Sequence, residues 1–131
     1  MTPELSNLVI ITAFTSVLWV PYILNRVMSG RGALWEMGYP KTQTILSPWA
    51  ERLKKAHANA VENLAVFAPL VLAAHVVGVS SRATVLASAV YVGARVLHAG
   101  SYVFKVPVLR TLSFSVGWGC QAVFAWVLLS K

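Results

Sequence analysis

Four apolar stretches, each long enough to cross a bilayer, predict an all-α integral membrane four-helix bundle for this chain of 131 residues. A helical span requires roughly 20 mostly apolar residues. Composition agrees: 57% of the residues are apolar, 11% are charged and the mean hydropathy is +0.67, far from the balance of a soluble domain. The apolar runs are continuous, whereas a transmembrane β-barrel would alternate apolar and polar positions.

The first helix is expected over about residues 5–28, because Leu5 to Asn25 contains no charge. It lacks a basic leading segment and a small-residue cleavage site, so it reads as a retained helix and not a signal peptide. A loop over about 29–49 follows, where Gly30, Gly32, Gly38, Pro40 and Pro48 break regular structure and Trp35, Tyr39 and Trp49 suit a membrane interface. The second helix is expected over about 50–79, the third over 83–105 and the fourth over 108–130. Residues 1–131 thus read as one transmembrane domain. Pro21 and Pro69 fall inside spans, where each removes a backbone donor and promotes a kink. Gly117, Gly119, Ala122 and Ala125 give the fourth helix a small-residue face for close packing.

Basic residues mark the orientation. Arg26, Arg31, Lys41, Arg52, Lys54 and Lys55 border the first connection and Lys105 and Arg110 the third, against Arg82 and Lys131 on the other side. The positive-inside rule then puts both termini outside and the long loop in the cytoplasm. The formal net charge of +7 reads as topology and attraction to anionic headgroups. Without a basic, aromatic-interleaved soluble surface, nucleic acid is not an expected partner.

Two polar stripes interrupt the spans. Arg52, Lys55, Asn59 and Glu62 are three, four and three residues apart, which puts them on one face of the second helix. Tyr91, Arg95, His98, Tyr102 and Lys105, spaced four, three, four and three, line one face of the third. At 1.5 Å per residue, Glu62 lies ~10 Å along its helix from Lys55 and Arg95 ~15 Å along its own from Lys105, so both reach similar depths from the same side. A carboxylate at that depth needs a partner. Two readings follow: a Glu62–Arg95 ion pair with Asn59 and Tyr102 bonding helix to helix, or a cleft for a polar ligand. Lys55, Arg95, Lys105 and Arg110 outnumber the single Glu62, which favours a ligand carrying more anionic than cationic groups. The three histidines lack metal-like spacing, so no metal is expected, and His75 reads as a packed side chain. Cys120 is the single cysteine and reads as a packing residue of the fourth helix.

The KAHANAVEN run from Lys55 to Asn63 and the RVLHAGSYVFKVPVLR run from Arg95 to Arg110 resemble the MAPEG superfamily, membrane-associated proteins in eicosanoid and glutathione metabolism. The first is similar to the family's Arg-Ala-x-x-Asn-x-x-Glu signature, the second to its third helix and the following turn. The resemblance implies a homotrimer with sites for glutathione between subunits near the cytoplasmic face. By position, it implies that Glu62 takes the γ-glutamyl ammonium, that Asn59 holds the peptide, and that Lys55, Arg95 and Tyr102 hold carboxylates and amides. His98 matches a polar residue close to the tripeptide, and Arg110 the catalytic arginine that activates the thiol. Arg26 or Arg31 would be contributed by a neighbouring subunit. The implied activity is a glutathione-dependent transferase or peroxidase, with glutathione as co-substrate and a hydrophobic electrophile or lipid hydroperoxide arriving from the bilayer. Lys55 stands where many members have arginine, Ala58 where some have another arginine, and Phe114 where some have a tyrosine. These departures keep open an alternative, a non-catalytic lipid-binding or accessory subunit.

Overall fold

The computed structural model describes residues 1–130, in six helices: α1 (Pro3–Val17), α2 (Trp19–Ser29), α3 (Ala33–Met37), α4 (Pro48–Val76), α5 (Arg82–Val103) and α6 (Pro107–Leu129). Four helical stretches have the length and apolarity to cross a membrane, namely Pro3–Ser29, Pro48–Val76, Arg82–Val103 and Pro107–Leu129.

The first span is α1 and α2 with a break at Leu18, where the chain keeps a helical φ of −62°. Pro21 has no amide hydrogen to offer the carbonyl four residues earlier, at Val17, so the regular ladder lapses there. Leu18 bonds Thr15 in a tighter turn instead. Pro69, by contrast, is accommodated within an unbroken α4. The long loop contains the short α3, which reading the glycines as breakers did not anticipate.

Local chemistry explains the helix ends. Thr2 caps α1 by accepting from the Leu5 amide, with Pro3 in the first turn. Ser81 and Thr84 form a reciprocal capping pair at the start of α5, Ser81 Oγ accepting from the Thr84 amide at 3.2 Å and Thr84 Oγ1 accepting from the Ser81 amide at 2.8 Å. Ser47, before α4, is itself clamped: its amide donates to Asn25 Oδ1 and its hydroxyl accepts from Asn25 Nδ2, both at 2.9 Å. That pair ties the end of the first span to the beginning of the second.

Two helices terminate in the same turn. After α4, Val79 N–H donates to Ala74 O at 2.8 Å and Gly78 N–H to His75 O at 3.1 Å; after α5, Val106 donates to Ser101 O at 2.9 Å and Lys105 to Tyr102 O at 3.3 Å. Both are Schellman motifs, whose turning residue is left-handed. Gly78 holds φ 71° and Lys105 φ 58°.

The interior is aromatic and aliphatic. Phe67 stacks on Tyr91 with centroids 3.7 Å apart and meets Phe124 edge-on at 5.6 Å. Leu8, Ile11, Val71 and Cys120 pack around them, and a second cluster of Leu18, Leu53, Ala56, Ala60 and Ala99 lies toward the loop end of the bundle. Gly117 permits close approach of α6 to α5: a Cβ there would lie 3.5 Å from Arg95 Cδ. Large apolar side chains such as Ile10, Leu86, Trp118 and Trp126 are exposed, as a lipid-facing surface requires. Cys120 is buried, as the sequence suggests, but His75 is exposed near the end of α4 and is not a packed side chain.

Candidate functional site

At the end of the bundle where α4 begins, α5 ends and α6 begins, a cavity of about 450 Å³ opens between the three helices. Arg52, Lys55, Ser101, Tyr102, Lys105 and Arg110 line it, with Val106 and Pro107 at the α5–α6 turn. Four of these side chains are cations and none is an acid. The positive ends of the α4 and α6 dipoles point the same way. No side chain caps α6, whose preceding residue is Val106, so its first amides add donors to an anion-attracting surface.

Two of the cations are held by side-chain contacts, Arg52 and Arg110. Arg52 donates from Nε and Nη2 to the Val103 carbonyl, at 3.1 and 2.9 Å, which pins α4 to the last turn of α5. Lys55 follows one turn later and is exposed. Lys105 projects from the left-handed turn, and Arg110 extends with its guanidinium carbon 5.4 Å from the Tyr102 ring centroid, a cation–π contact. Tyr102 in turn meets His98 edge-on at 5.2 Å.

Deeper in the bundle, Arg95 is only 2% exposed. Its Nη2 donates to Asn59 Oδ1 at 2.6 Å, while Nε and Nη1 are buried without partners. The Glu62–Arg95 ion pair that the stripes allow is therefore not formed. Glu62 is exposed on the single subunit, while Arg95 directs its one engaged nitrogen to an amide. His98, 3% exposed, has Nδ1 2.9 Å from the Arg110 carbonyl and 3.3 Å from Ser113 Oγ, and Nε2 buried without a partner. Its ring thereby fixes the first turn of α6, and with it the base of the Arg110 side chain.

Of the residues singled out in the sequence, Arg52, Lys55, Tyr102, Lys105 and Arg110 border one cavity. Asn59 and Arg95 form a bonded pair behind it, His98 joins the two layers, and Glu62 stands apart. Tyr91 belongs to the aromatic core. Arg31 lies over the Trp35 ring at 4.6 Å, whereas Arg26 borders a separate loop cavity with Glu36 and Tyr39 and leaves its buried Nε unpartnered. Ser101 and Ser113 were not anticipated. Each lies three residues beyond a named polar residue, His98 and Arg110 respectively, and that helical spacing is the signal that could have found them.

No group of three or more His, Cys, Asp or Glu side chains with metal-binding geometry occurs among the described residues. Over 82 residues, 62% of this chain, the sequence is 35% identical to human microsomal glutathione S-transferase 1; the matched part amounts to 53% of that protein, so the chain spans about half the length of this relative. The MAPEG family model matches residues 9–130, which takes in most of the first span, the other three spans and both polar stripes: the chain is a multi-pass membrane protein of the MAPEG family.

Proposed function

We propose that the protein binds glutathione in the cationic cavity and activates its thiol for attack on apolar electrophiles or lipid hydroperoxides. The observation that carries this reading is the charge balance: four cations and the uncapped N-terminus of α6 border one cavity, with the Arg95 guanidinium deeper between α4 and α5. Glutathione brings two carboxylates, one ammonium and a thiol. Lys55, Arg52 and Lys105 suit the carboxylates, and the free Nε and Nη1 of Arg95 suit a carboxylate or amide oxygen reaching past Asn59. Glu62 suits the ammonium. Its exposure on one subunit supports a homotrimer in which a neighbour closes the site, since a carboxylate facing lipid is expensive. Arg26 or Arg31 of a neighbouring subunit would join it.

Arg110 supplies the chemistry. A thiol with an ordinary pKa of about 8.5 reacts as its thiolate, and an adjacent cation raises the thiolate fraction at neutral pH. Arginine retains its charge under all relevant conditions. With an alkylating electrophile, the sulfur forms a carbon–sulfur bond and the leaving group departs with the electron pair. With a hydroperoxide, sulfur attacks the terminal oxygen, the O–O bond breaks and the alcohol leaves with the thiol proton. A second glutathione then reduces the sulfenic acid, giving the disulfide and water.

One observation favours a second reading, a lipid-binding subunit without catalysis. Phe114 presents an unsubstituted ring to His98, with centroids 5.9 Å apart, so α6 offers no phenol at that position. Titration of the purified protein with glutathione, followed by thermal stability and by thiolate absorbance, separates the two readings. Saturable stabilisation with a thiolate signal at neutral pH is expected. No stabilisation at millimolar glutathione would sink the transferase reading.

A further inference from the structure

The opposite end of the bundle holds a second, unrelated polar site. Glu4, in the first turn of α1, is 3% exposed. One carboxylate oxygen, Oε1, accepts from Ser80 Oγ at 2.9 Å and from Thr84 Oγ1 at 2.7 Å. The other, Oε2, is buried with no partner. Glu4 also lines a cavity of about 220 Å³ whose walls include Thr2, His75 and Ser80 and whose floor is Val71, Ala74 and Val79. Two hydroxyls hold Oε1 against the α4–α5 turn, and Oε2 is the carboxylate oxygen left without a partner beside that cavity.

We propose that this cavity binds a primary alkylammonium group, independently of the thiol cleft. A buried anion with an unsatisfied oxygen requires a compensating charge and donor. None of the residues lining the cavity is a lysine or arginine. An ammonium brings one charge and three N–H donors, matching Oε2, the Thr2 hydroxyl and a His75 ring nitrogen, while its short carbon chain rests on Val71, Ala74 and Val79. A metal ion fits less well, since one carboxylate, one histidine and hydroxyls fall short of the oxygen-rich shells that hard cations take. A quaternary ammonium also fits poorly: it carries no N–H donor, and no Phe, Tyr or Trp lines the cavity to form an aromatic cage. The site lies at helix-end depth, between the start of α1, the end of α4 and the start of α5. A phosphatidylethanolamine headgroup and a free primary amine both carry the required chemistry.

The test uses the full chain in phosphatidylcholine nanodiscs, titrated with ethylammonium chloride or with tetramethylammonium chloride at matched ionic strength. Ethylammonium is expected to raise Tm saturably by about 5 °C, and tetramethylammonium to have no such effect. If the lipid is the natural source, nanodiscs containing phosphatidylethanolamine give the higher Tm unaided and added ethylammonium contributes nothing further. If they behave as phosphatidylcholine does, and ethylammonium still stabilises, the ligand is a free amine. Glu4→Gln should abolish the response. Should that variant not fold, Val79→Phe, which fills the cavity and leaves the carboxylate in place, should abolish it as well. A wild-type protein indifferent to ethylammonium and to phosphatidylethanolamine alike, an equal response to tetramethylammonium, or retention of the response in these variants overturns the proposal.

Discussion

The turns that end α4 and α5 share their hydrogen bonds and differ in the residue at the pivot, Gly78 in one and Lys105 in the other. Glycine adopts a left-handed conformation without penalty, whereas a residue with a Cβ gives up about 1–2 kcal/mol. At the α4 end, the sequence takes the stable choice. At the α5 end it places a lysine in the same conformation, and that lysine borders the cationic cavity. The contrast teaches that the α5–α6 turn carries a charged side chain in a backbone conformation that costs it some stability.

Four substitutions break or sharpen this contrast. The largest effect is expected from Arg110→Ala, next to the charged turn, which should lower glutathione-dependent conjugation on the order of 10²-fold, the loss typical of removing one charge-stabilising donor, while glutathione still stabilises the protein in a thermal titration. If conjugation persists at the wild-type rate, Arg110 is not the activating cation. Gly78→Ala should next destabilise the protein by about 1–2 kcal/mol in denaturant unfolding, despite open space around its new Cβ, with glutathione binding unchanged. Lys105→Gly should do the reverse, stabilising by about 1 kcal/mol and weakening glutathione binding several-fold, a loss that shrinks as salt is raised. The smallest change should come from Lys105→Asn, since asparagine tolerates the left-handed region: stability within a few tenths of a kcal/mol of the glycine variant, and the same loss of affinity. Equal affinity in wild type and both Lys105 variants would show that the strained lysine serves no ligand.

The four spans were legible because lipid imposes a length and an apolarity that few other environments share. The polar stripes were legible because charge is rare within such spans, so Asn59, Arg95 and His98 stand out. Pairings were not. The spacing of Glu62 and Arg95 gave equal depth, but equal depth does not specify rotation about the helix axis, and Arg95 turned to Asn59. The break at Leu18 was only half visible, since Pro21 and Pro69 look alike in sequence yet only the first interrupts its helix. Glu4 does not stand out in the sequence, because its partners Ser80 and Thr84 lie 76 and 80 residues away. That distance is bridged by tertiary packing, which leaves no periodic trace.

The Asn25–Ser47 clamp has a practical consequence. Its partners are 22 residues apart along the chain, so the segment with α3 leaves and re-enters the bundle at one fastened point. Closing a longer loop costs little extra entropy once its ends are held. The excursion is therefore a natural port for an inserted epitope, fluorophore or affinity handle, and a cut within it would leave both flanking spans joined by side chains.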